Sequence, residues 1–289
     1  MIIDTPVSTT TSIPCLLSQG VRTVIRYYNH SNSLTFPSKR MELAEAQALS
    51  AHGLQIAVTF QQRQNQAADF SEAKGLAAGN RAYRFAQDNI GQPAGSAIYF
   101  SVDFDATVSE TNNAIVPFFN GVKQAFVDQS GGTPDYRVGA YSSGAVCKAL
   151  AAKGLIELTW LAMSQGFRGT AAARAAGQFH LAQLPGEKKL CGIDCDLNDA
   201  NPAQPDFGAF TLDHGLAVPP VVAPRFKVIA RSGLRMREGA GPQFDPIGTL
   251  RPGQVVFVPS VADGWASIDI EGDGQLDGFA SAAFLERIP

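Results

Sequence analysis

The sequence is short of cysteine, of net charge and of long apolar runs, and each shortage narrows what the chain can be. Four cysteines (Cys15, Cys147, Cys191 and Cys195) in 289 residues are too few for a disulfide scaffold. They also lack zinc spacing, because Cys191 and Cys195 have no second pair and the four histidines are scattered. No metal site and no cofactor are therefore expected. Buried thiols are the ordinary reading of such cysteines; a Cys191–Cys195 disulfide is an alternative that spacing does not decide. With 23 Lys and Arg against 26 Asp and Glu, the formal net charge is -3, which argues against nucleic acid as a partner. No stretch reaches the roughly 18 uninterrupted apolar residues of a membrane span. The opening segment "MIIDTPVSTTTSIPC" has neither a basic n-region nor an apolar h-region. The expectation is that there is no Sec signal peptide, and that delivery to the periplasm or cell wall follows a non-Sec route. A glycine-rich fingerprint after the first strand is missing too, which weighs against a doubly wound open sheet.

What is present is a long alternation. The runs "MIID", "VRTVIRYY", "LQIAVTF", "SAIYFSVDFD", "YRVGAY", "LTWLAM", "FHLAQL" and "CGIDCDL" are apolar and β-rich. Between them lie alanine-rich segments with helical spacing. "KRMELAEAQALSAHG" carries Leu43, Ala46 and Leu49 on one face and stops at Gly53, and "SEAKGLAAGNRAYRFAQDNIG" stops at Gly91. Thr107 and Glu110 have capping-box spacing ahead of an apolar stripe of Ile115, Phe118, Phe119, Val122 and Phe126. Pro117 lies inside that stripe and predicts a kink or a late helix start. Alternating strands and helices on this scale predict an α/β fold, a (β/α)8 TIM-like barrel over residues 1–215. The proline-rich "LAVPPVVAPR", 216–225, reads as a linker, and 226–289 as a small all-β barrel of short strands and turns.

Barrels of this kind keep their active sites at the C-terminal ends of the strands. Asp103 and Asp105 end the fourth run, at the same parity, so on an extended chain both carboxylates point one way. Other strand ends carry polar groups as well: Asp4, Arg26 with Tyr27, Gln61 with Gln62, Tyr141, Gln183, and Asp194 with Asp196. Trp160 lies in the sixth run. A ring of acids and aromatics suits glycoside hydrolysis, which needs one protonated carboxyl for the leaving oxygen and a second group to steady positive charge at the anomeric carbon. Crowded acids push their pKa values apart and so supply both forms near neutral pH. The duller readings are helix N-caps for Asp4 and Asp105, or a divalent-cation site. Two decoys fall away. "DIEGDGQLDGF" begins like an EF-hand loop, but its twelfth position is Ala280, and "GAYSSG" is one residue off a nucleophile elbow without a placeable histidine.

Taken together, "IDTPVS", "IRYY", "YFSVDFDA", "VGAYSSG", "TWLAMSQGF" and "DCDLND" resemble the glycoside-hydrolase-like barrel family labelled domain of unknown function 1906, a relative of the glycoside hydrolase family 25 lysozymes. The resemblance covers residues 1 to about 213. It implies cleavage of the β-1,4 bond after N-acetylmuramic acid in peptidoglycan. Asp105 would be the general acid and Asp103 the partner of the substrate's N-acetyl group. Asp4 and Asp196 would match the first- and last-strand aspartates, with Asp194 competing for the last role. Arg26, Tyr27, Gln61, Tyr141, Trp160 and Gln183 are the expected substrate contacts. This chain has Asp105 where the lysozymes have Glu, one methylene shorter. The second domain resembles bacterial SH3 (SH3b) modules through "SGLRMREGAGPQFDPIGTLRPGQVV", "GWASI" and "GFASAAFL", implying contact with wall peptide. The expected function is a lysozyme-type muramidase with a wall-binding module, as an exported antibacterial effector or phage-type lysin. Its expected partners are peptidoglycan glycan strands, with an immunity protein or a secretion-machine component besides. The rivals are a non-catalytic peptidoglycan-binding protein and a glycosidase acting on another polysaccharide.

Overall fold

The computed structural model describes residues 1–212, 223–270, 272 and 276–288. The chain divides into two compact units, one on each side of residues 213–222. Most of the expected linker, and Glu271, Asp273 and Gly274 of the EF-hand-like stretch, lie outside the described residues.

In the first unit, seven strands run parallel in chain order: β1 (Ile2–Asp4), β2 (Thr23–Tyr28), β3 (Gln55–Phe60), β4 (Ala97–Ser101), β5 (Arg137–Ser142), β6 (Leu158–Leu161) and β7 (Leu181–Gln183). A hairpin of β8 (Lys188–Leu190) and β9 (Ile193–Ala200) follows. β9 pairs antiparallel with both β7 and β1 and closes an eight-stranded barrel. The expected eighth parallel strand is thus corrected to an antiparallel one. The reason is chain length: a parallel return needs a crossover of a dozen or more residues, and only 184–192 separate β7 from β9.

Helices link the parallel strands: α1 (Ile13–Ser18), α2 (Leu43–Ala51), α3 (Glu72–Arg84), α4 (Val108–Glu110), α5 (Val116–Ser130), α6 (Gly144–Ala152) and α7 (Thr170–Ala175). Thr107 and Glu110 form the capping box that starts α4, and a π-helical turn, Thr111–Ile115, precedes α5, where Pro117 sits in the first turn. α3 and α5 approach closely because each presents a glycine to the other's backbone: a Cβ at Gly75 would strike the Phe118 carbonyl, and one at Gly121 the Glu72 carbonyl.

Strand alternation sorts the barrel into two layers. Val24, Tyr28, Ile56, Val58, Phe60, Ile98 and Phe100 point outward and bury against the helices. Ile25, Ala57, Ala97, Tyr99, Leu158, Trp160 and Leu181 fill the interior with Phe207. The segment around Phe207–Phe210 closes the floor: the amides of Ala97 and Ile56 donate to the carbonyls of Gly208 and Phe210, and the Tyr99 hydroxyl donates to the Phe207 carbonyl. Among the described residues, the interior is filled on this side, away from the strands' C-terminal ends.

Cys15 of α1 is bonded to Cys191, in the turn between β8 and β9. This corrects the expectation for those two residues, since Cys191 does not pair with Cys195; Cys147 and Cys195 are buried free thiols. A partner 176 positions away leaves no mark in local spacing.

The second unit has two antiparallel sheets. The three-stranded one contains β10 (Arg225–Val228), β13 (Val255–Phe257) and β17 (Leu285–Arg287), and the five-stranded one β11 (Leu234–Arg237), β12 (Pro246–Leu250), β14 (Val261–Ala262), β15 (Trp265–Ile268) and β16 (Gly278–Ser281). Its own core is Val228, Leu234, Met236, Leu250, Val256, Val258, Ala266, Ile268 and Ala280.

Candidate active site

Where the interior layer reaches the open end of the barrel it stops being apolar. The inward positions continue from Ile2 to Asp4, from Ile25 to Tyr27, from Ala57 to Thr59 and Gln61, and from Tyr99 to Ser101 and Asp103. With Tyr141, Trp160, Gln183 and Asp196 from the remaining strands, and Met163, Ser164 and Phe167 from the loop after β6, they line a cavity of about 310 Å3. That is near the lower end of ligand-pocket volumes.

Asp4 is the hub. Its Oδ1 accepts from the Tyr27 hydroxyl at 3.2 Å, and its Oδ2 from Asn198 Nδ2 at 2.7 Å and Gln183 Nε2 at 3.1 Å. The same Gln183 nitrogen donates to Asp196 Oδ2 at 2.9 Å, while Tyr141 donates to Gln183 Oε1 at 2.7 Å. Trp160 Nε1 donates to Asn198 Oδ1 at 2.8 Å, which fixes the amide so that its nitrogen faces Asp4. Burial raises the Asp4 carboxyl to about 7 against those donors, with the Asp196 charge adding to the rise. Asp196 is also raised, first by burial and then by Glu187 and Asp103. Asp103 hangs exposed over the other side of the cavity, accepts from Gln61 Nε2 at 3.2 Å, and is raised by desolvation. Lys39 donates to Gln61 Oε1 at 3.1 Å and lies 4.8 Å from the centre of the Tyr27 ring. Burial lowers its ammonium to about 8, with Asp103 pulling the other way.

The cavity thus collects Asp4, Asp103, Asp196, Tyr27, Gln61, Tyr141, Trp160 and Gln183 from the residues expected in it. Three others lie elsewhere. Arg26 is fully buried on the outward face of β2, where it pairs with Glu45 of α2 at 2.9 Å and donates to the carbonyls of Thr5 and Ser38. Adjacent strand residues face opposite ways, so Arg26 and Tyr27 cannot share the mouth. Asp194 is 71 % exposed and pairs with Lys189 across the β8–β9 hairpin. Asp105 falls four residues past the end of β4, too far for strand parity to hold. Its Oδ1 accepts from the Arg168 amide at 2.7 Å and its Oδ2 from Arg168 Nη1 at 2.8 Å, so the expected acid sits in an ion pair outside the cavity lining.

Sequence reasoning overlooked Asn198, Lys39 and Phe167. Asn198 was findable, since it follows Asp196 at the same parity; the other two stand on loops without periodicity. Among the described residues, no group of three or more His, Cys, Asp or Glu is placed to hold a metal ion.

Chemically the cavity offers a carboxyl that carries a proton near neutral pH beside two further carboxylates, with flat aromatic walls that suit sugar rings. The curated relatives are two Bacillus subtilis proteins described as uncharacterized. FadG is 29% identical over 151 residues and YbfG 28% over 191. These alignments span 52% and 63% of this chain but only 26% of each relative, so most of either relative has no counterpart here. Among solved structures, the Mycobacterium tuberculosis Tat-secreted protein Rv2525c superposes with a TM-score of 0.58 at 22% identity, over 72% of this chain and 97% of that one. An uncharacterized B. stearothermophilus protein gives 0.51 at 15%, over 71% and 97%. These likenesses show the fold. The family model described as Rv2525c-like, glycoside hydrolase-like domain matches residues 14–198, which carry the barrel from α1 to most of β9, and the chain belongs to that family.

Proposed function

We propose that this chain is a glycoside hydrolase of the lysozyme type, an N-acetylmuramidase that cuts the β-1,4 bond of peptidoglycan. The observation that carries the reading is the pairing of a carboxyl raised to about 7, Asp4, with Asp103 and Asp196 in one aromatic-walled cavity. Asp4 gives its proton to the glycosidic oxygen as the bond to the anomeric carbon breaks. Asp196 and Asp103 steady the positive charge that develops there, Asp103 through the substrate's N-acetyl group, until a water adds to the anomeric carbon and gives a proton back to the Asp4 carboxylate. The barrel is TIM-like in this reading, and the second unit is an SH3-like module that holds wall peptide. Work outside the cytoplasm is supported by the Cys15–Cys191 disulfide, since such bonds persist in oxidising compartments.

A second reading, glycan binding without cleavage, is favoured by the diversion of Asp105 into its pair with Arg168. Digestion of purified peptidoglycan by the wild type and by Asp4→Asn, with mass spectrometry of the soluble products, separates the two. Reducing-end N-acetylmuramic acid from the wild type alone is the expected result. A wild type that releases nothing yet pellets with the wall would establish the binding reading instead.

A further inference from the structure

The Asp105–Arg168 contact has a geometry richer than a surface ion pair. Besides the two bonds to the carboxylate, Arg168 Nη1 donates to the Asp105 carbonyl at 2.7 Å. Arg168 is therefore held at both its amide and its guanidinium by a single residue. The residue before it, Phe167, puts its side chain on the cavity wall with Met163 and Ser164. Two residues before Asp105 stands Asp103, which lines the same cavity. The pair thus joins the loop after β4 to the loop after β6, and each loop supplies cavity residues.

The remaining attachments of the β6–α7 loop come from another direction. The Ala145 amide donates to the Arg168 carbonyl at 2.9 Å, and the Gly144 amide to Thr170 Oγ1 at 3.0 Å, so the first turn of α6 supports the loop from below. Gly169, with φ +73°, lets the chain pass so close that a Cβ there would press on the Ala145 backbone. None of these contacts involves Asp105. The Asp105 and Arg168 side chains are 33% and 48% exposed, a setting in which ion pairs add little to global stability. What Asp105 adds is the lateral position of the 167–168 peptide.

We propose that Asp105 and Arg168 are a positioning pair that holds Phe167 as the aromatic wall of the carbohydrate cavity and so sets how tightly a sugar ring is gripped. This rests on the carbohydrate reading given above. Asp105 acts through Phe167 and never touches the glycosidic bond.

The test is a double-mutant cycle of Asp105→Ala, Arg168→Ala and the double variant, with Phe167→Ala as benchmark. Binding of an N-acetylglucosamine tetramer is followed by calorimetry, and kcat, KM and their pH dependence on soluble glycan strands are followed where cleavage occurs. Each single change is expected to weaken binding about tenfold, within the reach of an ångström-scale misplacement. The double variant is expected to lose less than the sum of the two single losses, because the side chain–side chain bond is lost in both, while Arg168→Ala leaves the amide bond and Asp105→Ala leaves the bond to the carbonyl. The pH profile and the melting temperature should stay put. An Asp105→Ala variant that loses kcat at constant KM, together with the alkaline limb of its profile, would make Asp105 the acid and overturn the proposal; additive losses would overturn it too. Hydrogen exchange at the Arg168 amide reads the tie without any sugar: it should quicken in Asp105→Ala, and an unchanged rate counts against the pair. A wild type that binds no glycan would overturn the carbohydrate reading itself, and with it the grip assigned to the pair, while the exchange rate still shows whether the tie exists.

Discussion

Asp4 and Asp196 oppose each other across the antiparallel seam of the barrel, and one nitrogen, Gln183 Nε2, donates to both. Two carboxylates sharing a donor in a desolvated corner do not ionise alike. Asp4, the more buried, keeps its proton to about pH 7. The reversed last strand creates this opposition, because it sets a second acid beside the end of β1.

That proton ties stability to pH. The folded state holds Asp4 protonated from the ordinary value of 3.8 up to about 7, where the unfolded chain has released it. The resulting advantage is complete below about pH 4 and is lost as pH rises through 7. The displacement corresponds to about 4 kcal/mol for this fully enclosed group. Melting temperature against pH is therefore expected to fall more steeply for the wild type than for Asp4→Asn between pH 4 and 8. Parallel curves would contradict it.

Replacing Gln183 by Glu removes the shared donor and adds a third negative charge. The Asp4 midpoint, followed by carbon NMR of the carboxyl, should rise by about one unit or more. An unmoved midpoint would mean that the amide does not hold Asp4 in solution.

Arg26 and Glu45 are expected to matter for folding and not for ligand. Glu45→Ala leaves a buried guanidinium without its carboxylate and should cost about 3–5 kcal/mol in denaturant unfolding. The surviving folded fraction should bind glycan with unchanged affinity. A loss of affinity at full stability would return Arg26 to the binding site.

Breaking the disulfide, by reductant or by Cys15→Ser with Cys191→Ser, should lower stability by about 3–5 kcal/mol, since it joins residues 176 positions apart. Calorimetry with and without reductant measures this directly, and the serine variants should no longer respond to reductant.

How much of this was legible in the sequence depends on where local rules still applied. Inside strands they did. Parity alone carries Asp4, Tyr27, Gln61, Asp103, Gln183 and Asp196 to one cavity, and applied strictly it would have turned Arg26 outward and added Asn198. Beyond strand ends the rule fades with distance: β4 stops at Ser101, and parity still places Asp103, two residues on, but no longer Asp105, four residues on, which Arg168 draws aside. Lys39 and Phe167 reach the site from loops whose paths are set by contacts far along the chain. The reversal of β9 was legible in the short 184–192 connection, yet its apolar pattern looks like that of the other strands.

The bond between Cys15 and Cys191 gives the first unit one more property. With residues 176 positions apart joined, the stretch between them is a covalent ring. A protease that nicks any single loop within it produces no separate pieces, only a ring opened at one place and still fastened at the other. In the company of proteases, such a barrel survives its first cut as one molecule, and gel mobility changes only when reductant is added.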